Sequence, residues 1–143
     1  MSSTARALRI AGRIFAQELG PGKGSKEGSA ALEASRLKLS GVISPYFGST
    51  GFDALFERSV RRVGGLFPCL SELAAQSSGT VVAFLDRVLR RQEFALVHEI
   101  ALALLSCFFD VLALLVGEDL AAMMFHAAWP EALADETSRG SQA

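Results

Sequence analysis

The chain has 143 residues, half of them apolar, a mean hydropathy of +0.33 and a formal net charge of −1. That length fits one domain around one core, and a sequence pI near 6.1 argues against a protein built chiefly to neutralise phosphates. Two cysteines, Cys69 and Cys107, are too few for a disulfide framework.

The N-terminal stretch carries Arg6, Arg9 and Arg13 and lacks the continuous apolar core of a secretory signal, so the expected setting is the reducing cytoplasm. Ser2 or Ser3 is placed to cap a first helix to about Leu19, with Leu8, Ala11, Ile14, Phe15 and Leu19 on one face. Gly20-Pro21-Gly22 stops it, and residues 20–28 read as a flexible linker by composition. Ser29 then opens a second helix to about Ile43. Residues 44–51 read as a turn, and Thr50 with Asp53 forms a weak capping box for a third helix over about 51–63. Its inner stripe is Phe52, Leu55, Phe56, Val60 and Val63, with Arg58, Arg61 and Arg62 outside. Residues 66–70 form an apolar connector and 71–76 a short helix. A break at 77–79 leads into a helix with Val81, Phe84, Leu85, Val88 and Leu89 inside and Arg87, Arg90 and Arg91 outside.

The stretch from Phe94 to Gly117 is apolar almost all the way round, and such a helix is buried on most sides or lies in lipid. Its Phe, Leu, Ile and Val side chains supply about −6 kcal/mol on insertion scales, against roughly +3 kcal/mol for a central Asp110 and more for Glu99. A membrane span is therefore close to balance. The amphipathic helices elsewhere need a common centre, and this helix provides one, so a core position is the preferred reading. Asp110 becomes the candidate buried charge, expected to meet an arginine, a polar backbone group or an edge. Gly117 is a natural C-cap. Glu118 and Asp119 suit the first turn of a last helix that stops at Pro130. The polar tail from Asp135 is expected to be disordered.

The charges are unevenly distributed. Residues 1–92 carry 13 Lys and Arg against 7 Asp and Glu, a balance of +6; residues 93–143 carry one basic residue against 8 acids, a balance of −7. These two parts can attract each other within one fold or between copies.

Catalytic and cofactor signatures are missing. GPGKGSKEG lacks a phosphate-loop spacing, no His or Cys cluster has zinc spacing, and too little chain follows His126 for a globin-like haem pocket with His98. Glu99 and Asp110 share a helix face but lie about 16 Å apart along it, too far for one acid–base site. The expectation is a non-enzyme with no metal, cofactor or small-molecule substrate. Arg58, Arg61 and Arg62, with Arg87, Arg90 and Arg91, form the candidate basic patch, read first as solvated or ion-paired and second as a nucleic-acid contact.

The fold class expected is all-α: a single-domain bundle of five or six helices over residues 1–134, centred on the helix at about 94–117. The apolar inventory exceeds what a small domain readily hides, so a protein partner or a second copy, giving a homodimer, is expected. Met123, Met124, Phe125 and Trp129 are the candidate partner contacts. The function this points to is a small cytoplasmic adaptor or regulator; the alternatives are a single-span or peripheral membrane protein using 94–117 and a nucleic-acid-binding regulator using the arginines. The stretch GEDLAAMMFHAAWPEAL resembles the C-termini of small bacterial helical proteins, a resemblance that implies no activity.

Overall fold

The computed structural model describes residues 4–134. The expected caps Ser2 and Ser3 and the expected disordered tail lie outside them. Among the described residues the chain is all-α: helices α1 (Ala5–Leu19), α2 (Ser25–Gly64), α3 (Val81–Leu89), α4 (Phe94–Val116) and α5 (Glu118–Ala128), with a 3-10 segment, Pro68–Ala75, between α2 and α3.

The apolar helix is the centre of the bundle. At 23 residues α4 is about 35 Å long, and it packs against α1, α2 and α5. Val97, Ile100, Ala101, Leu104, Leu105, Phe108, Phe109 and Leu112 are all essentially buried. Phe108 is the hub: its ring lies 5.6 Å from Phe52 and 5.9 Å from Phe56 on α2, and 6.2 Å from Phe125 on α5. Each such ring, fully buried, stabilises the fold by about 2–3 kcal/mol, so these contacts fasten α2 and α5 to the middle of α4.

Helix α1 runs antiparallel to α4. Thr4 at its start meets Asp110, and Phe15 near its end meets His98 edge-on at 5.5 Å. Thr4 is the N-cap, its Oγ1 accepting the Ala7 N–H at 3.0 Å.

The beginning of α2 corrects the linker expected over 20–28. Only residues 20–24 connect the helices, and Ser25 already begins α2. Gly28 is buried, and a Cβ there would stand 2.7 Å from Val97 Cγ1, so glycine permits close approach of α2 to α4. Ser29 does not cap the helix. It is buried inside it and donates to Asp86 Oδ1 on α3 at 2.6 Å, while Arg90 Nε donates to both Asp86 oxygens at 3.0 Å. These contacts order a stretch whose composition reads as a flexible linker.

The turn expected over 44–51 is a sharp break within α2. Helical geometry continues past Pro45, and the departure is confined to Gly48, at φ 79° and ψ 158°. Glycine reaches that left-handed region without the Cβ penalty. The Thr50–Asp53 box is therefore not needed to restart the helix.

The four fully buried serines bond within reach. Ser35, Ser59 and Ser106 each donate to a backbone carbonyl one turn earlier, and Ser29 donates to Asp86. No buried side-chain polar atom among the described residues lacks a partner.

Candidate functional site

The bundle hides most of its apolar surface but leaves large apolar side chains outward where α4 turns into α5. Leu114 is 75% exposed, Leu115 57%, Leu120 42% and Met123 61%. The cause is local: α4 is apolar on all sides, so the outward face of its last turn is leucine, while α5 buries only the face that carries Ala121, Ala122, Met124 and Phe125. Glu118 and Asp119 open α5 on this end. Glu118 Oε1 accepts from Arg6 Nη1 at 2.7 Å, and Asp119 is exposed.

This corrects the candidate partner contacts. Met124, Phe125 and Trp129 turn inward and are 5%, 0% and 0% exposed; Phe125 packs 5.2 Å from Phe109 and 6.1 Å from Trp129. Of the four, Met123 alone presents its side chain to solvent.

Asp110 reaches the start of α1. Its Oδ1 and Oδ2 accept from Thr4 Oγ1 and from the Thr4 backbone N–H, each at 3.3 Å. A carboxylate in this position satisfies an otherwise unpartnered N–H and complements the positive end of the helix dipole. It is half-buried, so the carboxylate sits at an edge of the core.

The arginines divide between structural work and open surface. Arg61 turns onto the 3-10 segment, donating to the carbonyls of Gln76 at 2.7 Å and Leu73 at 3.4 Å and to Glu57 at 3.1 Å. Glu57 also accepts from Ser78 Oγ at 2.9 Å, and that bond, with Arg61, holds its carboxyl below the usual carboxylate range. Arg90 is taken up by Asp86, and Arg87 lies 5.8 Å over the Phe84 ring. Arg58, Arg62 and Arg91 are exposed. Of the six candidates, Arg61 and Arg90 are therefore engaged by groups of the same fold, while Arg58, Arg62 and Arg91 stand on its surface.

Both thiols are free and half-buried. Burial pushes each above the ordinary cysteine range; at Cys107 nearby Asp110 adds to this, and Arg62 and Ser59 oppose it. Thiols in that condition are poor nucleophiles at neutral pH. Among the described residues, His, Cys, Asp and Glu form no group suited to a metal ion. His98 packs between Phe15 and Phe94, its ring 6.0 Å from the latter.

A second surface feature, not evident from hydrophobic periodicity, is a groove of ≈ 660 Å³ between the first part of α2 and α3. Ala30, Ala34, Leu37, Val82 and Ala83 line it. Ala30 and Ala34 recur at helical spacing on α2 and Ala83 faces them from α3, a placement that depends on how the two helices pair.

Comparison with protein-family models, with curated proteins and with solved structures returns no match.

Proposed function

We propose that this chain is a non-enzymatic helical interaction module that self-associates in an aqueous compartment, as a small adaptor or regulator does. The observation that carries this reading is the outward placement of Leu114, Leu115, Leu120 and Met123 close together in sequence at the α4–α5 junction, whereas the other exposed large apolar side chains, Leu8, Leu37, Tyr46 and Leu66, are scattered along the chain. Exposed large apolar groups concentrated at one end of a small bundle favour association, because water is displaced when they are covered. The commitment of Arg61 and Arg90 within the fold also favours a protein partner over a nucleic acid.

Sedimentation velocity in detergent-free buffer tests the reading. A sedimentation coefficient that rises with concentration, and no longer does so in Leu115→Glu/Met123→Glu, supports it. A concentration-independent monomer refutes it. The competing reading is a membrane-associated protein, favoured by the length and mean hydropathy of 2.3 of α4. It requires that the protein pellet with vesicles and stay soluble only with detergent.

A further inference from the structure

We infer that Gly48 is a hinge on which an arm, residues 4–47, is exchanged between two copies of this chain. The exchange is independent of the α4–α5 contact proposed above.

The arm consists of α1 and the first part of α2, and its partners lie beyond the hinge. Thr4 meets Asp110, Arg6 meets Glu118, Glu18 meets Trp129 and Ser29 meets Asp86. Ile10, Ile14, Phe15, Leu39 and Ile43 of the arm are fully buried, and α1 and α2 both pack on α4. An arm lifted from its own chain exposes these side chains and the face of α4 beneath them. Only the same arm of a second copy restores every one of these contacts, so the fold itself specifies the occupant.

The hinge is a single residue. Helical geometry continues past Pro45 and is broken at Gly48 alone, at φ 79° and ψ 158°. Ser49 and Thr50 beside it are exposed, and no atom lies within 4 Å of the place a Cβ at Gly48 would take. Packing at the hinge therefore holds neither conformation. With Gly48 returned to a helical φ, α2 is one helix of 40 residues, about 60 Å long. Such a helix carries the arm away from its own α4 and towards that of a second copy. The closed chain and the exchanged dimer bury the same surfaces and differ mainly at residue 48. Glycine bears the left-handed φ without a Cβ penalty, and pairing two copies costs translational freedom, so the closed chain is favoured.

The test uses the Leu115→Glu/Met123→Glu background, which removes the α4–α5 apolar end. Gly48→Ala adds a methyl that touches nothing in the bend, disfavours its backbone conformation and favours a continuous helix. Parent and variant are unfolded in urea, refolded at low and high concentration, and sized by chromatography with light scattering; circular dichroism records helix content. The parent is expected to refold chiefly to one chain, with a minor two-chain species that grows with the concentration during refolding. Gly48→Ala is expected to raise the share of that dimer roughly tenfold or more. An arm-exchanged dimer persists on dilution and mixes with a differently tagged copy only after both are unfolded together. A Gly48→Ala protein that folds to one chain at every concentration overturns the exchange, and so does a dimer that falls apart promptly on dilution. If Gly48→Ala does not fold, the parent decides: no slowly exchanging dimer at the highest refolding concentration also overturns it. Failure of the α4–α5 contact leaves these outcomes unchanged, because that end is absent from both proteins.

Discussion

Trp129 Nε1 donates to Glu18 Oε2 at 2.8 Å, joining the residue that ends α5 to the last turn of α1 across 111 positions of sequence. Glu18 also pairs with Lys38 of α2, whose ammonium lies 5.8 Å over the Trp129 ring. Three helices thus meet on one carboxylate whose side chain is 11% exposed. Trp129→Phe keeps most of the buried ring and removes the donor. It is expected to cost about 1–3 kcal/mol in urea unfolding. Trp129→Ala also opens a cavity and is expected to cost about 3–5 kcal/mol. Equal stability of Trp129→Phe and the wild type would show that the indole N–H contributes nothing.

Thr4 and Asp110 form a coupled pair at the start of α1. Thr4→Ala removes both the cap to Ala7 and the hydroxyl that reaches Asp110, at an expected cost of about 1 kcal/mol. Asp110→Asn removes the charge that favours the helix N-terminus, at about 0.3–1 kcal/mol. Because the two share a bond, the double variant is expected to lose less than the sum of the singles. Strict additivity in a double-mutant cycle would mean that the pair does not interact in solution.

Gly28→Ala should destabilise the protein although alanine is the better helix former. The added methyl meets Val97 Cγ1 at 2.7 Å, and overpacking of this kind costs about 1–3 kcal/mol. A rise in melting temperature would indicate that α2 does not approach α4 this closely.

Asp86 links stability to pH. The hydrogen bond from Ser29, and then Arg90, holds its carboxyl below the usual carboxylate range. A carboxyl depressed in the folded state binds its proton more readily when unfolded, so its contribution is full above about pH 4 and is lost as pH falls through the lower folded pKa. Ser29→Ala is therefore expected to lower stability by about 1 kcal/mol at pH 7, with the gap to the wild type narrowing below pH 4. A gap that stays constant to pH 2 would separate the effect from the ionisation of Asp86.

What was legible in the sequence followed how local the determinant is. The span of α4 was readable within one residue because its apolar run and Gly117 sit in the chain itself. So were the end of α2 at Gly64 and the stop of α5 before Pro130. The start of α2 was not, because Gly28 and Ser29 are ordered by Val97 and Asp86, brought near only by folding. Residues 44–51 read as a turn, but nothing local singles out Gly48 within them, because a left-handed φ leaves no mark on neighbouring residues. In the run Met123-Met124-Phe125 no polar residue signals which face turns in; the packing of α5 on Phe108 and Phe109 decides that, and it leaves Met123 outside. The exposure of Leu114 and Leu115 was implicit in a helix apolar on every side, yet which of its leucines would be left bare depended on how α1, α2 and α5 pack around it.

The most direct test of the central claim is the mass of the wild-type protein by light scattering in detergent-free buffer over a range of concentrations. Self-association through the exposed α4–α5 end predicts a soluble species heavier than the 15.2 kDa single chain, its mass rising with concentration and returning to one chain in Leu115→Glu/Met123→Glu. A wild type that stays at 15.2 kDa throughout, or that remains in solution only with detergent, would contradict it.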